Sequence, residues 1–209
     1  MTKVSNLAEA PLRKRVSSEE WEARVNLAAC YRLAAHFRMT DMIYTHISAR
    51  VPGPEHHFLI NAFGQLWDEI NASTLVKVTL DGEIVDDPAG YGINRAGYVI
   101  HSAVHRARAD VECVMHTHTA AGIAVSAQEQ GLLPISQHAM RFHDNIAYHD
   151  YEGLALELDE QKRLVADLGT HKAMILRNHG LLTCGSTVAH AFRLIQKLEK
   201  ACQAQIDGM

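Results

Sequence analysis

Apolar positions along the chain follow two different periods, and the segments that carry them alternate. Where apolar residues recur every three or four positions they predict a helix, and where they alternate or form a short run they predict a strand. The helical spacing covers residues 17–34, 95–108, 120–128, 154–168 and 187–206. The strand patterns cover residues 44–51, 57–61, 75–80, 83–85, 111–115 and 173–176, whereas residues 132–146 fit neither pattern.

Local signals support this division and predict a single α/β domain. Ser17 and Glu20 form a capping box at the start of the first helix, and Asp81-Gly82 lies between two strand patterns as the turn of a hairpin. Residues 1–16, which are mostly polar, are predicted to be a flexible arm. We expect residues 17–209 to form one domain with a mixed sheet that is covered by helices.

Histidines follow two of the predicted strands. His116 and His118 come at the end of the apolar run 111–115, and because residues two apart in a strand point to the same face, their imidazoles lie side by side. His179 follows the apolar run 173–176 and precedes Gly180. Three imidazoles at strand ends predict an open metal site with room for water or substrate.

A purely structural interpretation of the same histidines stays open at this point. The chain contains 14 histidines, so a pair two residues apart also arises by chance. Such a pair equally fits two strand-end side chains that are hydrogen-bonded to their neighbours.

Composition and charge narrow the class of protein. The 209 residues contain 24 acidic and 20 basic side chains, which give a formal net charge of −4 without a basic block, so neither nucleic acid nor an anionic membrane is expected as a partner. No apolar run is long enough to span a membrane, and the N-terminal residues lack a signal-peptide core. The four cysteines form no C-x-x-C pair, which favours free thiols and a cytoplasmic location.

Several motifs follow one another in an order that resembles a known family. They are HISARVPG at 46–53, FLIN at 58–61, LVKV at 75–78 with Asp81-Gly82, AGYVIHSA at 96–103, VMHTHT at 114–119, AYHDYEG at 147–153 and RNHGLL at 177–182. On these motifs residues 25–201 resemble the aldolase class II/adducin head domain superfamily, in its adducin-like branch. The resemblance implies a three-layer α/β/α sandwich and a homotetramer with active sites between subunits. It also implies a divalent metal, most often Zn²⁺ with Fe²⁺, Mn²⁺ or Co²⁺ as alternatives, on His116, His118 and His179.

The chain departs from the sugar-phosphate aldolases of that family at the residues that handle protons and phosphate. In those enzymes the metal polarises a carbonyl group during retro-aldol cleavage, and a glutamate transfers the proton. The glutamate position falls on Gly97, the phosphate-binding serines fall on Arg95 and Ala96, and a phosphate-binding Gly-Asn falls on Thr45-His46. Cleavage of a sugar phosphate by that route is therefore not expected, since a proton carrier commonly contributes about 10²–10⁴-fold to the rate.

Other residues are candidates for the missing functions. Tyr148 or His149 is a candidate general acid, although their polar run also fits a hydrogen-bonded turn. For substrate binding the candidates are His46, Arg95 as a ligand of an anionic group, and Gly97, whose missing side chain leaves space for a bulkier group. His46 also fits a buried strand-end histidine, and Arg95 fits a surface arginine at a helix start.

Two classes of function remain from the sequence. The first is a metal-dependent lyase that acts on a small, non-phosphorylated hydroxy-carbonyl or carboxylate compound by retro-aldol cleavage or decarboxylation. A variant of it is an Fe(II)-dependent oxygenase on the same three histidines. The second is a non-catalytic, adducin-like assembly domain. The retained histidines favour an enzyme, because a structural domain does not need an open metal site.

Overall fold

The fold is a three-layer α/β/α sandwich around one mixed sheet, as the sequence predicts. The computed structural model describes residues 11–53, 55–153 and 158–209. Within them eight strands form a single sheet in the order β4-β3-β2-β1-β5-β8-β7-β6. The pair β6–β7 is parallel, and the other pairs in these residues are antiparallel. The strands are β1 (His46–Arg50), β2 (Phe58–Ile60), β3 (Val76–Val78), β4 (Ile84–Asp86), β5 (Cys113–Thr117), β6 (Ala147–His149), β7 (Ala173–Leu176) and β8 (Gly180–Gly185).

Helices cover both faces of the sheet. They are α1 (Ser18–His36), α2 (Arg95–Ala107), α3 (Ala120–Ser126), α4 (Gln137–Met140), α5 (Leu158–Leu168) and α6 (Val188–Asp207). Alternation along β5 divides the core: Cys113 and Met115 pack with apolar residues of α1 and α6, while Val114 packs with apolar residues of α2 and α5. His116, two residues after Val114, therefore lies on the α2–α5 face.

A capping box starts the first helix, and a tyrosine side chain connects that helix to the sheet. The Ser17 side chain accepts a hydrogen bond from the Glu20 amide, as the predicted capping box requires. Farther along α1, the buried Tyr31 hydroxyl donates to the Ile47 carbonyl oxygen at 2.6 Å and accepts from the Ile47 amide at 2.7 Å. These bonds attach α1 to β1, which carries His46 into the site.

Most of the predicted elements are confirmed, and two strands were missed. The short β6 lies in a run of mostly polar residues, which does not predict a strand. β8 follows β7 after a turn of only three residues. Residues 132–146, which matched no pattern, contain only the four-residue α4. Of the predicted arm, residues 1–10 lie outside the described residues. In its described part Leu12–Lys14 forms a 3-10 helix, and Leu12 is buried.

Membrane insertion by a helix has no support in the described part of the chain. None of its helices is both long and apolar enough to cross a bilayer.

Candidate metal centre

The missed strand β8 brings the three histidines together. It pairs with β5 on one side and with β7 on the other, and His116 lies opposite Leu182 in this register. β8 begins right after His179, so the turn before it reaches the end of β5 where His118 leaves the sheet. Thr119 then caps α3 by accepting a hydrogen bond from the Gly122 amide, so His118 lies between the end of β5 at Thr117 and the cap of the next helix.

The turn that carries His179 has a backbone suited to its residues. Asn178 has a φ of 54°, a left-handed conformation in which asparagine is several-fold enriched over most other residues. A Cβ at Gly180 would lie 2.4 Å from the carbonyl oxygen of Thr117, so only glycine allows β8 to start this close to β5. The amide of His179 donates to the Ser126 hydroxyl at 3.1 Å. These constraints fix where the His179 side chain begins.

The three imidazoles converge on one point. The ring centroids of His116 and His118 are 4.6 Å apart. The ring centroid of His179 lies 4.7 Å from that of His116 and 4.8 Å from that of His118. One nitrogen from each ring can be chosen so that all three lie within 4.8 Å of one another. Zn–N bonds of about 2.0–2.1 Å in a tetrahedral site place ligand nitrogens about 3.3 Å apart, which small ring rotations would reach.

Hydrogen bonds at the outer nitrogens orient two of these rings. The Nδ1 atom of His116 lies 2.9 Å from the carbonyl oxygen of Leu181, and that of His118 lies 3.0 Å from a carboxylate oxygen of Asp41. Both partners are acceptors, so each Nδ1 carries a proton and Nε2 is the nitrogen left to bind a ligand. The two Nε2 atoms are 2.8 Å apart, within hydrogen-bond distance, so either a proton or a metal ion can hold the two rings together. With His179 they form a set of three imidazole ligands that fits a divalent metal ion.

Burial keeps two of these imidazoles in the neutral form that binds metals. Desolvation lowers the pKa of His116 well below 6.5, and the neighbouring His179 and His118 lower it further. The pKa of His179 is lowered to about 4, mainly by burial and then by His118 and His149. At neutral pH both side chains are therefore uncharged and able to donate a lone pair.

The histidines open into a cavity of about 480 Å³ with mostly apolar walls. Its lining consists of Asp41, Tyr44, His46, Asn94, Gly97, Ile100, His101, His116, His118, Ile123, Tyr151, Gly153, Asn178 and His179. None of these described lining residues is a lysine or an arginine. Among the described residues of this chain, the cavity therefore offers an anionic ligand no cationic side chain.

His46 and Gly97 are close together at this cavity, but the space beside Gly97 is not open. A Cβ at Gly97 would lie 2.3 Å from both Cε1 and Nδ1 of His46, so the His46 ring already fills the space that the sequence left for a substrate. That interpretation of Gly97 was wrong, because a missing side chain in the sequence does not reveal which neighbour fills the gap. His46 is 4% exposed, and burial with the nearby His118 and His179 lowers its pKa to about 4.

The structure places Arg95 and Tyr148, two other predicted site residues, away from the metal cavity. Arg95 is exposed at the start of α2 and does not border the cavity; Asn94 before it does. Tyr148 faces the α1–α6 side of the sheet, where its hydroxyl accepts the Leu132 amide at 3.1 Å. Its proposed position at the metal is therefore not observed, because its neighbour His149 takes the opposite face.

His149 lies on the face of the sheet that carries the metal site. Its Nδ1 is 2.7 Å from Asp167 Oδ2, and its buried Nε2 has no hydrogen-bond partner among the described residues. It borders a small cavity of about 10 Å³ together with Tyr151 and His179, both of which also line the large one.

A second histidine group lies on the same face, under α2. The Ser48 hydroxyl is 2.6 Å from Nδ1 of His101 and 2.8 Å from Nε2 of His105, and all three side chains are buried. The observed partner of His101 is Ser48 rather than a ligand histidine.

Sequence reasoning missed Asp41 and Asn178, and it considered Tyr151 only as part of the polar run after Ala147. Asp41 lies in the loop after α1, 77 residues before His118, so no local pattern links the two. Asn178 and Tyr151 border the cavity from loops. The two-residue spacing of Tyr151 from His149, on the metal face, was an available but weak signal.

Comparisons with known proteins agree with this architecture. The sequence profile described as "Class II Aldolase and Adducin N-terminal domain" matches residues 25–206. A crystal structure of an aldolase II superfamily protein from Pseudomonas syringae is 65% identical, with a TM-score of 0.94 over 95% of this chain and 80% of that one. An L-fuculose 1-phosphate aldolase from Glaciozyma antarctica PI12 is 29% identical, with a TM-score of 0.82 over 99% of this chain and 77% of that one.

Alpha-adducin of Mus musculus is also similar in sequence. It is 48% identical over 88% of this chain, which corresponds to 25% of the adducin. The profile match, which covers most of the chain, and the aligned structures identify the protein as a member of the class II aldolase and adducin N-terminal domain family.

Proposed function

We propose that the protein is a divalent-metal-dependent lyase that cleaves a carbon–carbon bond in a small, non-phosphorylated hydroxy-carbonyl or carboxylate compound. The observation that carries this proposal is the convergence of the His116, His118 and His179 imidazoles, whose candidate ligand atoms lie within 4.8 Å of one another, in an open cavity. Similarity to an L-fuculose 1-phosphate aldolase supports the reaction class.

Different residues would bind the metal, orient its ligands and transfer the proton in such a reaction. A divalent ion, when bound by the three histidines, supplies Lewis acidity toward a substrate carbonyl oxygen. The Leu181 carbonyl and the Asp41 carboxylate orient two of the ligand rings. His149, oriented by Asp167 and with a free Nε2, is the proposed proton carrier, since Gly97 has no side chain to serve.

The proposed metal is zinc. Three imidazole nitrogens with one open position suit Zn²⁺. Fe²⁺, Mn²⁺ and Co²⁺ also accept imidazole ligands and are the alternatives.

The absence of cations among the described lining residues supports a substrate without phosphate. A phosphate group is ordinarily held by arginine, lysine or several backbone amides. Arg95, the candidate for this role, is exposed and outside the cavity lining. A carboxylate, if the substrate has one, would have to bind at the metal.

The test compares metal-dependent turnover of two kinds of substrate. Protein stripped with a chelator and then reloaded with Zn²⁺ is incubated with a set of 4-hydroxy-2-oxo acids and with L-fuculose 1-phosphate, and release of the carbonyl products is measured. We expect zinc-dependent cleavage of a non-phosphorylated compound, and turnover of the sugar phosphate at least about a hundredfold lower, because the phosphate ligands are missing and Gly97 stands in place of the glutamate that serves those substrates. Equal activity without metal, or efficient cleavage of the sugar phosphate, contradicts the proposal.

A second candidate is an assembly domain without catalysis. The observation that favours it is the 48% identity to mouse alpha-adducin. Metal content separates the two candidates, because an assembly domain needs no ion in an open site. Protein purified without chelator that carries no transition metal and binds none on titration would favour the assembly domain.

The proposal includes a homotetramer with sites between subunits. Tyr44, Ile123 and Tyr151 line the cavity and are each more than one-third exposed. Exposed apolar residues at the rim of a cavity suit contact with a second copy. Light scattering at micromolar concentration should give about four times 23.2 kDa, and a stable monomer would remove the intersubunit site from the proposal.

A cytoplasmic location is part of the same proposal. Cys30, Cys113, Cys184 and Cys202 are free and buried. Unpaired cysteines are typical of proteins in a reducing compartment.

A further inference from the structure

We infer that His46, seated against Gly97, hydrogen-bonds an uncharged oxygen of the substrate next to the end that binds the metal. Substrates of this site would therefore carry a hydroxyl or keto group at that position rather than a second anionic group. The inference rests on the proposed function and specifies the substrate class.

The absence of a side chain at Gly97 makes room for the His46 ring. A Cβ at position 97 would lie 2.3 Å from Cε1 and Nδ1 of His46 and 2.6 Å from its Cγ, which is closer than side-chain carbons approach in proteins. Gly97 lies within α2, where glycine is a poor helix former. The contact with His46, rather than the helix, thus explains why a glycine is needed here.

Strand pairing places the His46 ring beside the metal ligands. His46 is the Cα partner of His116 in the β1–β5 ladder, so the two side chains leave the same face of the sheet. The ring of His101 packs edge-on against His46 with centroids 6.0 Å apart. His46 is therefore held between Gly97 and His101 while it lines the metal cavity.

Both ring nitrogens of His46 lack a hydrogen-bond partner in the described protein, although both are buried. Buried polar atoms nearly always have a partner, and an exception needs an explanation. For a ring that borders a substrate-sized cavity, a bound ligand is the natural partner. A neutral imidazole offers one donor and one acceptor, and a hydroxyl group can satisfy either.

The charges around His46 favour an uncharged group. Lysine and arginine are absent from the described cavity lining, and the acid that does line it, Asp41, is bound to His118. A second anionic group would lose its hydration without gaining a cation from the described residues of this chain. Ile100, Ile123 and Tyr44 add apolar wall next to these polar groups.

A double-mutant cycle on metal-free protein tests the packing of the His46 ring against Gly97. Gly97→Ala should lower the midpoint of thermal unfolding by roughly 5 °C or more, because overpacking a buried contact is destabilising. In a His46→Ala background the same substitution should leave the midpoint unchanged or raise it, because alanine is the better helix former. An equal loss in both backgrounds would overturn the proposed contact.

Binding of three small hydroxamates to the zinc-loaded protein tests the ligand chemistry. Acetohydroxamate, 2-hydroxyacetohydroxamate and malonomonohydroxamate share the metal-chelating group and differ in a methyl, a hydroxymethyl and a carboxymethyl group. By titration calorimetry, the hydroxymethyl compound should bind about tenfold more tightly than either of the others, which is the contribution of roughly one good hydrogen bond. In the matched variants, His46→Leu should abolish this preference without changing acetohydroxamate binding, and His46→Gln should keep part of it.

The outcomes separate the two levels of the proposal. Failure to take up zinc, or binding of no hydroxamate, defeats the proposed function itself. Binding of all three without a preference for the hydroxyl, a preference for malonomonohydroxamate, or a preference that survives in His46→Leu overturns the role of His46 and leaves the metal site standing.

Discussion

Two groups of buried and half-buried histidines share one face of the sheet but have different partners. His116 and His179 belong to the group at the strand ends, and burial lowers the pKa of the first well below 6.5 and of the second to about 4. His101 and His105 belong to the group under α2, where burial likewise lowers the pKa of His101 well below 6.5 and that of His105 to about 3. Burial and pKa therefore do not tell a ligand from a structural histidine.

The difference lies in what stands between the rings. Under α2 the Ser48 hydroxyl lies between two imidazoles and can donate to one while it accepts from the other. At the strand ends three imidazoles converge beside a cavity, and the Nε2 atoms of His116 and His118 lie 2.8 Å from each other rather than from a hydroxyl group. A hydroxyl group thus bridges the first two rings, although Nε2 of His101 and Nδ1 of His105 have no hydrogen-bond partner among the described residues. The second group instead has the geometry of a cation site.

His118→Ala should have the largest effect, and it should fall on metal binding alone. Loss of an outer-shell partner costs about 10–100-fold in metal affinity, so loss of a ligand should cost more than about a hundredfold. Competition with a chromophoric chelator measures the zinc affinity, and circular dichroism checks the fold. His143→Ala, at a half-exposed histidine outside the cavity lining, is the matched control and should bind zinc normally. Equal affinity of the two variants would break the assignment of the strand-end group.

Acid should act on the α2 group even when no metal is present. The pKa of His105 is about 3 in the folded protein and about 6.5 in an unfolded chain, so between these values only the unfolded chain binds the proton. The contribution of neutral His105 to the free energy of unfolding is fully present above pH 6.5. It is lost as the pH falls toward 3, by up to about 1.4 kcal/mol per pH unit for each such histidine. Urea unfolding of metal-free protein at pH 7.5, 6 and 5 measures the slope.

A variant without the titrating ring gives the control for this slope. His105→Gln keeps a polar side chain near Ser48 but cannot take up a proton. Its free energy of unfolding should depend less steeply on pH than that of the wild type, whatever its value at pH 7.5. Identical slopes would mean that other groups cause the acid sensitivity.

The two groups also differ in how much of them the sequence predicts. His116 and His118 are two residues apart on a strand whose apolar run is plain, so their shared face follows from local geometry. That His179 joins them depends on β8, which lies between β5 and β7 through long-range pairing. The Ser48 group was not predicted, because its members come from β1 and α2, 53 and 57 residues apart.

The same reasoning explains the errors at single residues. Tyr148 and His149 could not be assigned to faces until β6 was known to be a strand, and the alternation of strand side chains then separates them. The elements themselves were predictable because apolar periodicity is local. Partners such as Asp41 and the ring that covers Gly97 depend on tertiary packing, for which a single sequence carries no pattern.

Ser48→Ala should affect stability and leave zinc affinity unchanged within about twofold. Removal of the hydroxyl leaves buried nitrogens of His101 and His105 without a partner, which costs about 1–3 kcal/mol. Urea unfolding of the metal-free protein measures this loss, and chelator competition measures zinc binding. A large loss of zinc affinity would show that the two groups are coupled rather than separate.

Substitution of Asp41 should produce the smallest of these effects and shows how the strand-end group is oriented. The Asp41 carboxylate accepts a hydrogen bond from His118 Nδ1, which directs the Nε2 lone pair to the metal. Because the Asp41 side chain is 41% exposed, we expect Asp41→Ala to weaken zinc binding by only about tenfold, the lower end for such partners. Asp41→Asn retains an oxygen acceptor without the charge, so an affinity near that of the wild type would assign the effect to orientation. An affinity as low as that of Asp41→Ala would assign it to the negative charge, and no loss in either variant would mean that the turn after β5 positions His118 without help.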